Sequence, residues 1–175
     1  MGKRPASCYK RVAGKAYTRT AKRVVKKAFI RGVPNIVLGQ SDMGNSGKNY
    51  KYQITLVAEE PVQVQHNALE ACRITVNRVI EKEIGKENYH FQVRVYPHHV
   101  LRENAIITGA GADRLQTGMR HSFGRPKSRA ARVKNGQAVF SIKVDNKKNV
   151  EIARKALKKI RSKLPMKVSV QINEL

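Results

Sequence analysis

The stretch GAGADRLQTGMRHSFGRPKSRAARVK, residues 109–134, decides how the chain divides. After Asp113 it carries seven Lys/Arg and no acid, and it has almost no hydrophobic periodicity. Glycines and isolated apolar residues punctuate it. It reads as a long basic connection laid against a polyanion. Patterned segments lie on both sides, so it interrupts a fold rather than ending one.

Upstream, Tyr52, Ile54, Leu56 and Ala58 alternate with Gln53 and Thr55, which predicts a strand over residues 50–59 with one buried face. The period then changes. Leu69, Cys72, Val76, Val79 and Ile80 recur at helical spacing, predicting a helix over 62–84 that Gly85 closes. Tyr89, Phe91, Val93 and Val95 alternate again. Downstream, Ala138, Phe140, Ile142 and Val144 predict a strand, and Asp145-Asn146 a turn. A stripe of Val150, Ala153, Leu157, Ile160 and Leu164 predicts a helix over 149–164, stopped by Pro165. Val168, Val170 and Ile172 form the last strand. A short apolar run at 33–38 is a further strand candidate, and Ala105-Ile106-Ile107 is either a short strand or the apolar part of a protruding loop. The order is strand, helix, strand on each side of the basic connection. The expected fold is α+β, a two-layer sandwich of a mixed or antiparallel sheet covered by two helices. Residues 1–32 are expected as a basic arm, and 33–175 as a single domain with an internal loop at 98–134.

Residues 1–41 hold eleven Lys/Arg and no acid. Such a segment cannot recover its ordering entropy alone, and is expected to be fixed when its charges meet phosphates. Tyr9, Tyr17 and Phe29 either stack on bases or anchor the arm to its own domain.

The whole chain has 175 residues, 36 Lys/Arg against 12 Asp/Glu, and a formal charge of +24. Self-repulsion of that size does not stabilise a domain, and a nucleic-acid partner accounts for it. No apolar run is long enough to span a membrane, and the N-terminus lacks an apolar signal core. Cys8 and Cys72 are expected as free thiols in a reducing, cytosolic setting, Cys72 as a packing residue. No cofactor is expected. GNSGK at 44–48 has its glycines too close together for a Walker loop, and Asn49 stands where Ser or Thr is needed. His98 and His99 lack a nearby carboxylate or cysteine, so no metal site is expected. As a general base His121 would need an orienting carboxylate, and Asp113 stands eight residues away, so no catalytic residue is assigned. The lysine-rich face of the second helix is either a nucleic-acid reader or a solvated surface. Phe123 either enters a base stack or anchors the loop. Residue pattern alone reaches a basic α+β nucleic-acid-binding protein that favours RNA.

ADRLQTGMRHSFGRPKSRAARV (112–133), RPASCY (4–9), EPVQVQHNALEACR (60–73) and NYHFQVRVYPHHVLREN (88–104) make the match specific. They strongly resemble the archaeal and eukaryotic branch of the universal large-subunit ribosomal protein sixteen family, the archaeal "ten-e" protein. The resemblance covers nearly the whole chain. It implies a non-enzymatic structural constituent of the cytoplasmic large subunit, a monomer within the ribosome and not membrane-bound; the alternative reading is a non-ribosomal RNA chaperone or ribosome-assembly factor. Its implied partners are large-subunit rRNA, tRNA and neighbouring ribosomal proteins, and its implied role is to help position tRNA near the A site and the peptidyl-transferase centre. It assigns rRNA binding to Lys3, Arg4, Lys10, Arg11, Arg19 and Arg23 in the arm. It assigns the same role to Arg114, Arg120, His121, Arg125, Lys127, Arg129 and Arg132 after the loop. Arg102, Glu103, Asn104, Ala105, Ile106, Ile107, Thr108, Gly109, Ala110 and Gly111 correspond to the loop that reaches toward tRNA.

Overall fold

The computed structural model describes residues 4–18, 30, 32–104, 110–111, 118–120 and 122–175. A short helix α1 (Ser7–Lys10) precedes strands β1 (Asp42–Gly44), β2 (Tyr52–Ala58) and β3 (Val62–Gln65). Helix α2 (His66–Ile84) leads to β4 (Tyr89–Val93) and β5 (His99–Glu103). Then come β6 (Arg125–Val133), β7 (Ala138–Val144), helix α3 (Lys147–Lys159), a 3-10 turn at Arg161–Lys163 and β8 (Val168–Glu174).

The fold is the expected α+β sandwich, with a second sheet added. Five antiparallel strands form the main sheet in the order β1-β4-β7-β2-β8. Alternation puts Ile54, Leu56, Phe91, Phe140 and Ile142 on its inner face, all fully buried. Phe91 and Phe140 lie 5.8 Å apart between ring centroids. Helices α2 and α3 pack on each other and cover this face, α3 against β2 and β7, α2 against β4. Leu69, Cys72, Val76 and Ile80 form the buried stripe of α2. Burial pushes the Cys72 thiol up to about 12, which suits a packing residue and not a nucleophile. No helix among the described residues is long and apolar enough to cross a membrane.

The second sheet has the order β3-β6-β5, again antiparallel. It corrects the expected loop at 98–134, which contains two paired strands, β5 and β6. It also corrects the helix start: residues 62–65 are strand, and α2 begins at His66. The reason is that β3 pairs with β6, a partner far away in sequence. Val62, Val64, Ala131 and Val133 turn one face of this sheet into the common core. α2 touches both β3 and β6, so one helix joins the two sheets.

Residues 33–38, a strand candidate, form no strand. Their backbone docks on α2 instead: the Val37 N–H donates to His66 Nδ1 at 3.3 Å, and Gly39 N–H to Glu70 at 3.3 Å. The candidate at 105–107 lies outside the described residues. At Gly44 the backbone has φ +85°, and a Cβ there would sit 2.2 Å from the Tyr89 carbonyl oxygen, so only glycine lets β1 close on β4.

Phe140 sits at the centre of the main sheet with no exposed surface. Phe140→Ala is expected to lower the unfolding free energy by roughly 3–5 kcal/mol, read from the shift in a guanidinium denaturation midpoint.

Candidate nucleic-acid interface

The arm's described part, residues 4–18, docks on the face of the second sheet that points away from the core. Gln63 of β3 donates through Nε2 to the carbonyls of Tyr9 (3.1 Å) and Arg11 (2.6 Å). Its cross-strand partner Arg132 donates to the carbonyls of Ala13, Gly14 and Lys15, at 3.1, 2.7 and 3.2 Å. His99 of β5 opposes Ala130, two residues along, and its Nδ1 accepts the Tyr17 N–H at 2.8 Å. The Val100 N–H returns a bond to the Tyr17 carbonyl at 3.0 Å. Alternation thus aims Gln63, Arg132 and His99 at the arm while Val62, Val64, Ala131 and Val133 face the core.

Glu103 ends β5 and gathers three partners on one carboxylate: Arg4 Nε at 2.8 Å, Tyr9 Oη at 2.8 Å and Lys127 Nζ at 2.7 Å. The Lys127 hydrogen bond, with those of Tyr9 and Arg4, holds the Glu103 carboxyl down at about 2 against the opposing effect of burial. Burial and the bond to Glu103 push the Tyr9 phenol up to about 12, so it stays a donor. Lys10 pairs with Glu60 at 3.0 Å.

Beside this tie, the Arg102 guanidinium lies 3.7 Å from the Phe123 ring centroid and 4.7 Å from that of Tyr17. Arg102 also donates to the Phe123 carbonyl at 2.8 Å. The two rings meet edge to face at 5.9 Å. Gly124 has φ +81°, and a Cβ there would lie 2.9 Å from the Glu103 carbonyl carbon. Glycine therefore lets the chain re-enter β6 directly against the end of β5. Tyr9 and Tyr17 anchor the arm, and Phe123 joins the same packing while staying largely exposed.

The docking concentrates cations. Arg11, Lys15, Arg102 and Arg132 line one cleft of about 270 Å³ along the arm–sheet seam. Among the described residues, Arg11, Lys15, Arg120 and Arg125 are exposed and have no carboxylate partner. Arg129 is half-buried, with Nε enclosed and unpartnered. Arg154, Lys155, Lys158 and Lys159 give α3 a separate exposed basic face. No group of His, Cys, Asp or Glu among the described residues is arranged to hold a metal.

The sequence profile of the family described as ribosomal protein L16p/L10e matches residues 13–171. The chain belongs to this ribosomal protein family. It is 45% identical to the large ribosomal subunit protein uL16 of Methanocella arvoryzae over 99% of this chain and 96% of the relative. It is 43% identical to the protein of the same name from Staphylothermus marinus, over 100% of this chain and 96% of that one. As an L16p/L10e member of the archaeal and eukaryotic type, it is a structural constituent of the large ribosomal subunit in the cytoplasm, not an enzyme. It binds rRNA and helps position tRNA near the A site and the peptidyl-transferase centre.

Of the residues assigned to RNA from sequence, Arg4, Lys10, Lys127 and Arg132 also hold the protein together, and Arg11, Arg120 and Arg125 are open. Glu103, expected in the tRNA-facing loop, is a mostly buried tie at the end of a strand. Asn104, half-buried, follows it; Ala110 and Gly111 are exposed. Lys3, Arg19, Arg23, Ala105, Ile106, Ile107, Thr108, Gly109, Arg114 and His121 lie outside the described residues. Sequence reading missed Gln63 and His99 as holders of the arm. A signal existed for Glu103, because it and Asp113 are the only acids between residues 88 and 144.

His99 is almost buried, and burial first, then Arg132, His98 and Arg102, lowers its pKa from 6.5 to about 4. The neutral ring is the form that accepts the Tyr17 amide. The unfolded chain therefore takes up a proton before the folded one does. Stability from this contact is full above pH 6.5 and is lost as pH falls toward 4. Lowering pH from 7 to 5 is expected to shift the Tyr17 and Val100 amide resonances and to reduce stability. His99→Phe, which is less stable at pH 7, should show a smaller loss over that range in parallel denaturation curves.

Proposed function

We propose that the seam between arm and second sheet is where this L16p/L10e member grips rRNA, with residues 1–32 acting as the rRNA-binding arm of a domain spanning 33–175. The observation that carries the reading is the convergence on β5 and β6 of cations from two distant parts of the chain, with most of the arm's ties made to backbone carbonyls and a neutral histidine. Arg11, Arg120 and Arg125 contact phosphates directly. Lys3, Arg19, Arg23, Arg114 and His121 extend that contact along the RNA. Arg129 lies under the same surface, and Arg4, Lys10, Lys127 and Arg132 contribute charge while fixing the arm. Guanidinium groups suit this work because their planar fork matches two phosphate oxygens.

The loop from Arg102 to Gly111 serves the tRNA side. Arg102 and Glu103 form its rigid base, and Asn104 to Gly111, which carries no charged residue, forms the part that approaches tRNA. A neutral tip between two RNAs avoids trapping either by charge alone.

Three outcomes are expected. Arg11→Ala and Arg125→Ala should each reduce the slope of log affinity for large-subunit rRNA against log salt by about one, at unchanged protein stability. Arg132→Ala should instead lower stability through loss of the arm. An unchanged slope in both exposed variants counts against the assigned surface, as does failure of the protein to stay stoichiometric with large subunits through a high-salt wash. Shortening residues 105–111, with Arg102 and Glu103 kept, should slow tRNA-dependent peptide transfer while leaving cooperative unfolding intact. Unfolding that loses its cooperativity would mean the segment belongs to the core.

A further inference from the structure

We propose that the cleft between residues 34–37, the start of α2 and the β5–β6 edge receives one unstacked purine nucleotide of the RNA partner, adenine by preference. The proposal rests on the rRNA-binding reading above and goes further, because it assigns base recognition where that reading assigns only phosphate contact.

The cleft encloses about 400 Å³, a volume that holds a single nucleotide. Pro34, Val37, Leu101 and the Tyr9 ring supply apolar walls suited to the face of a base. Its polar lining is unusual in kind. Asn35, Gln65 and Asn67 all open onto it, and none makes a side-chain hydrogen bond with the described residues. A carboxamide offers an acceptor and a donor side by side, the pattern that matches N6–H and N7 of adenine. Arg102 and Lys127 stand in the same lining, and no acid does. Lys127 shares the Glu103 carboxylate with Arg4, and Arg102, held against Tyr17 and Phe123, has no carboxylate partner among the described residues, so the lining keeps net positive charge for the nucleotide's phosphate.

The walls are held in place before any ligand arrives. His66 accepts the Val37 N–H on Nδ1, and its Nε2 lies 3.3 Å from Ser128 Oγ, so one ring ties together three walls of the cleft. Tyr9 is fixed by its hydroxyl on Glu103. The first turn of α2 contains no acid and no side-chain cap, which leaves its amides favourable to an anion. An apolar peptide would leave three carboxamides and the excess Arg102 charge unmatched. A bare phosphate would leave the apolar walls unused. In an A-form duplex the N6/N7 edge lies in a deep, narrow groove that side chains cannot read, and the ring faces are stacked, so the ligand is an unstacked nucleotide.

The test uses the full-length protein and uridine nonamers carrying a single central A, G or C, with all-uridine as reference. The A-containing strand is expected to bind about five- to tenfold more tightly than the reference, the gain from one or two added hydrogen bonds, and to shift the side-chain amide resonances of Asn35, Gln65 and Asn67. Asn35→Ala and Asn67→Ala should each remove most of that preference. Val37→Phe, at an exposed position on the wall, should fill the cleft and abolish the preference with an unchanged denaturation midpoint. Equal binding of all four strands, a pyrimidine preference, or an A preference that survives both Asn substitutions would overturn the assignment. If rRNA association and its salt slope persist in any of those cases, only the base pocket falls. If the protein does not associate with rRNA, both readings fall.

Discussion

The Glu103 carboxylate joins three parts of the chain that sequence keeps far apart: Arg4 and Tyr9 of the arm, the end of β5, and Lys127 of β6. An isolated surface ion pair contributes about 0–1 kcal/mol. This group differs because the carboxylate side chain is only 9% exposed and accepts three hydrogen bonds. A buried carboxylate that lost these partners would bear its desolvation cost alone. The constraint propagates. With Glu103 fixed, Arg102 is set on the opposite side of the strand, where it stacks on Tyr17 and Phe123. Gly124 must then pass directly over the Glu103 backbone. The residues on either side of 105–122 are therefore clamped at the point where they leave the sheet.

Four strands of the main sheet were legible in the sequence because they bury one face against helices; three-residue β1, which lies in a stretch that reads as a Gly-, Asn- and Ser-rich loop, was not. Tyr52 to Ala58, Tyr89 to Val93 and Ala138 to Val144 all show the alternation this requires, and the α2 and α3 stripes were readable for the same reason. The second sheet was not legible, and β6 shows why. Its sequence is RPKSRAARV, in which the apolar residues are two alanines, one valine and one proline. The core side needs only small residues because α2 lies close, and the other side is covered by the arm's backbone rather than by apolar side chains. A strand covered by peptide groups keeps its polar residues, so its pattern reads as loop. A register shift between Leu101 and Arg102 breaks the period further. β3 was absorbed into the following helix because four residues of alternation are too few to outweigh nineteen of helix.

The same difficulty hid much of the candidate interface. Positive charge in the arm and in 114–134 was plain, and so was its partner class. The division of those cations into holders and free groups was not. Arg132 and Arg125 look equivalent in sequence, yet one donates to three carbonyls and the other is exposed. The acceptors that make the difference are backbone atoms, which every residue carries and no sequence pattern marks. His99 was missed for a related reason. Its role follows from one buried amide, that of Tyr17, brought beside it by an arm 82 residues away.

The choice of acceptors also resolves a conflict in the chain's charge. With 36 bases and 12 acids, ordering the arm brings like charges together on one surface. Neutralising each cation with a carboxylate would hold the arm but remove the positive potential that attracts RNA. The structure brings two carboxylates to the described arm: Glu60 takes Lys10, and Glu103 serves Arg4 and Lys127 together, which leaves the second group net positive. It places Arg132 on carbonyls, whose dipoles orient toward the guanidinium without cancelling its charge. It uses His99 in the neutral state, so that the contact nearest Arg132 adds no repulsion. The described part of the arm is thus tied down mainly by dipoles, and Arg11, Lys15 and Arg132 keep their positive charge uncancelled by any carboxylate.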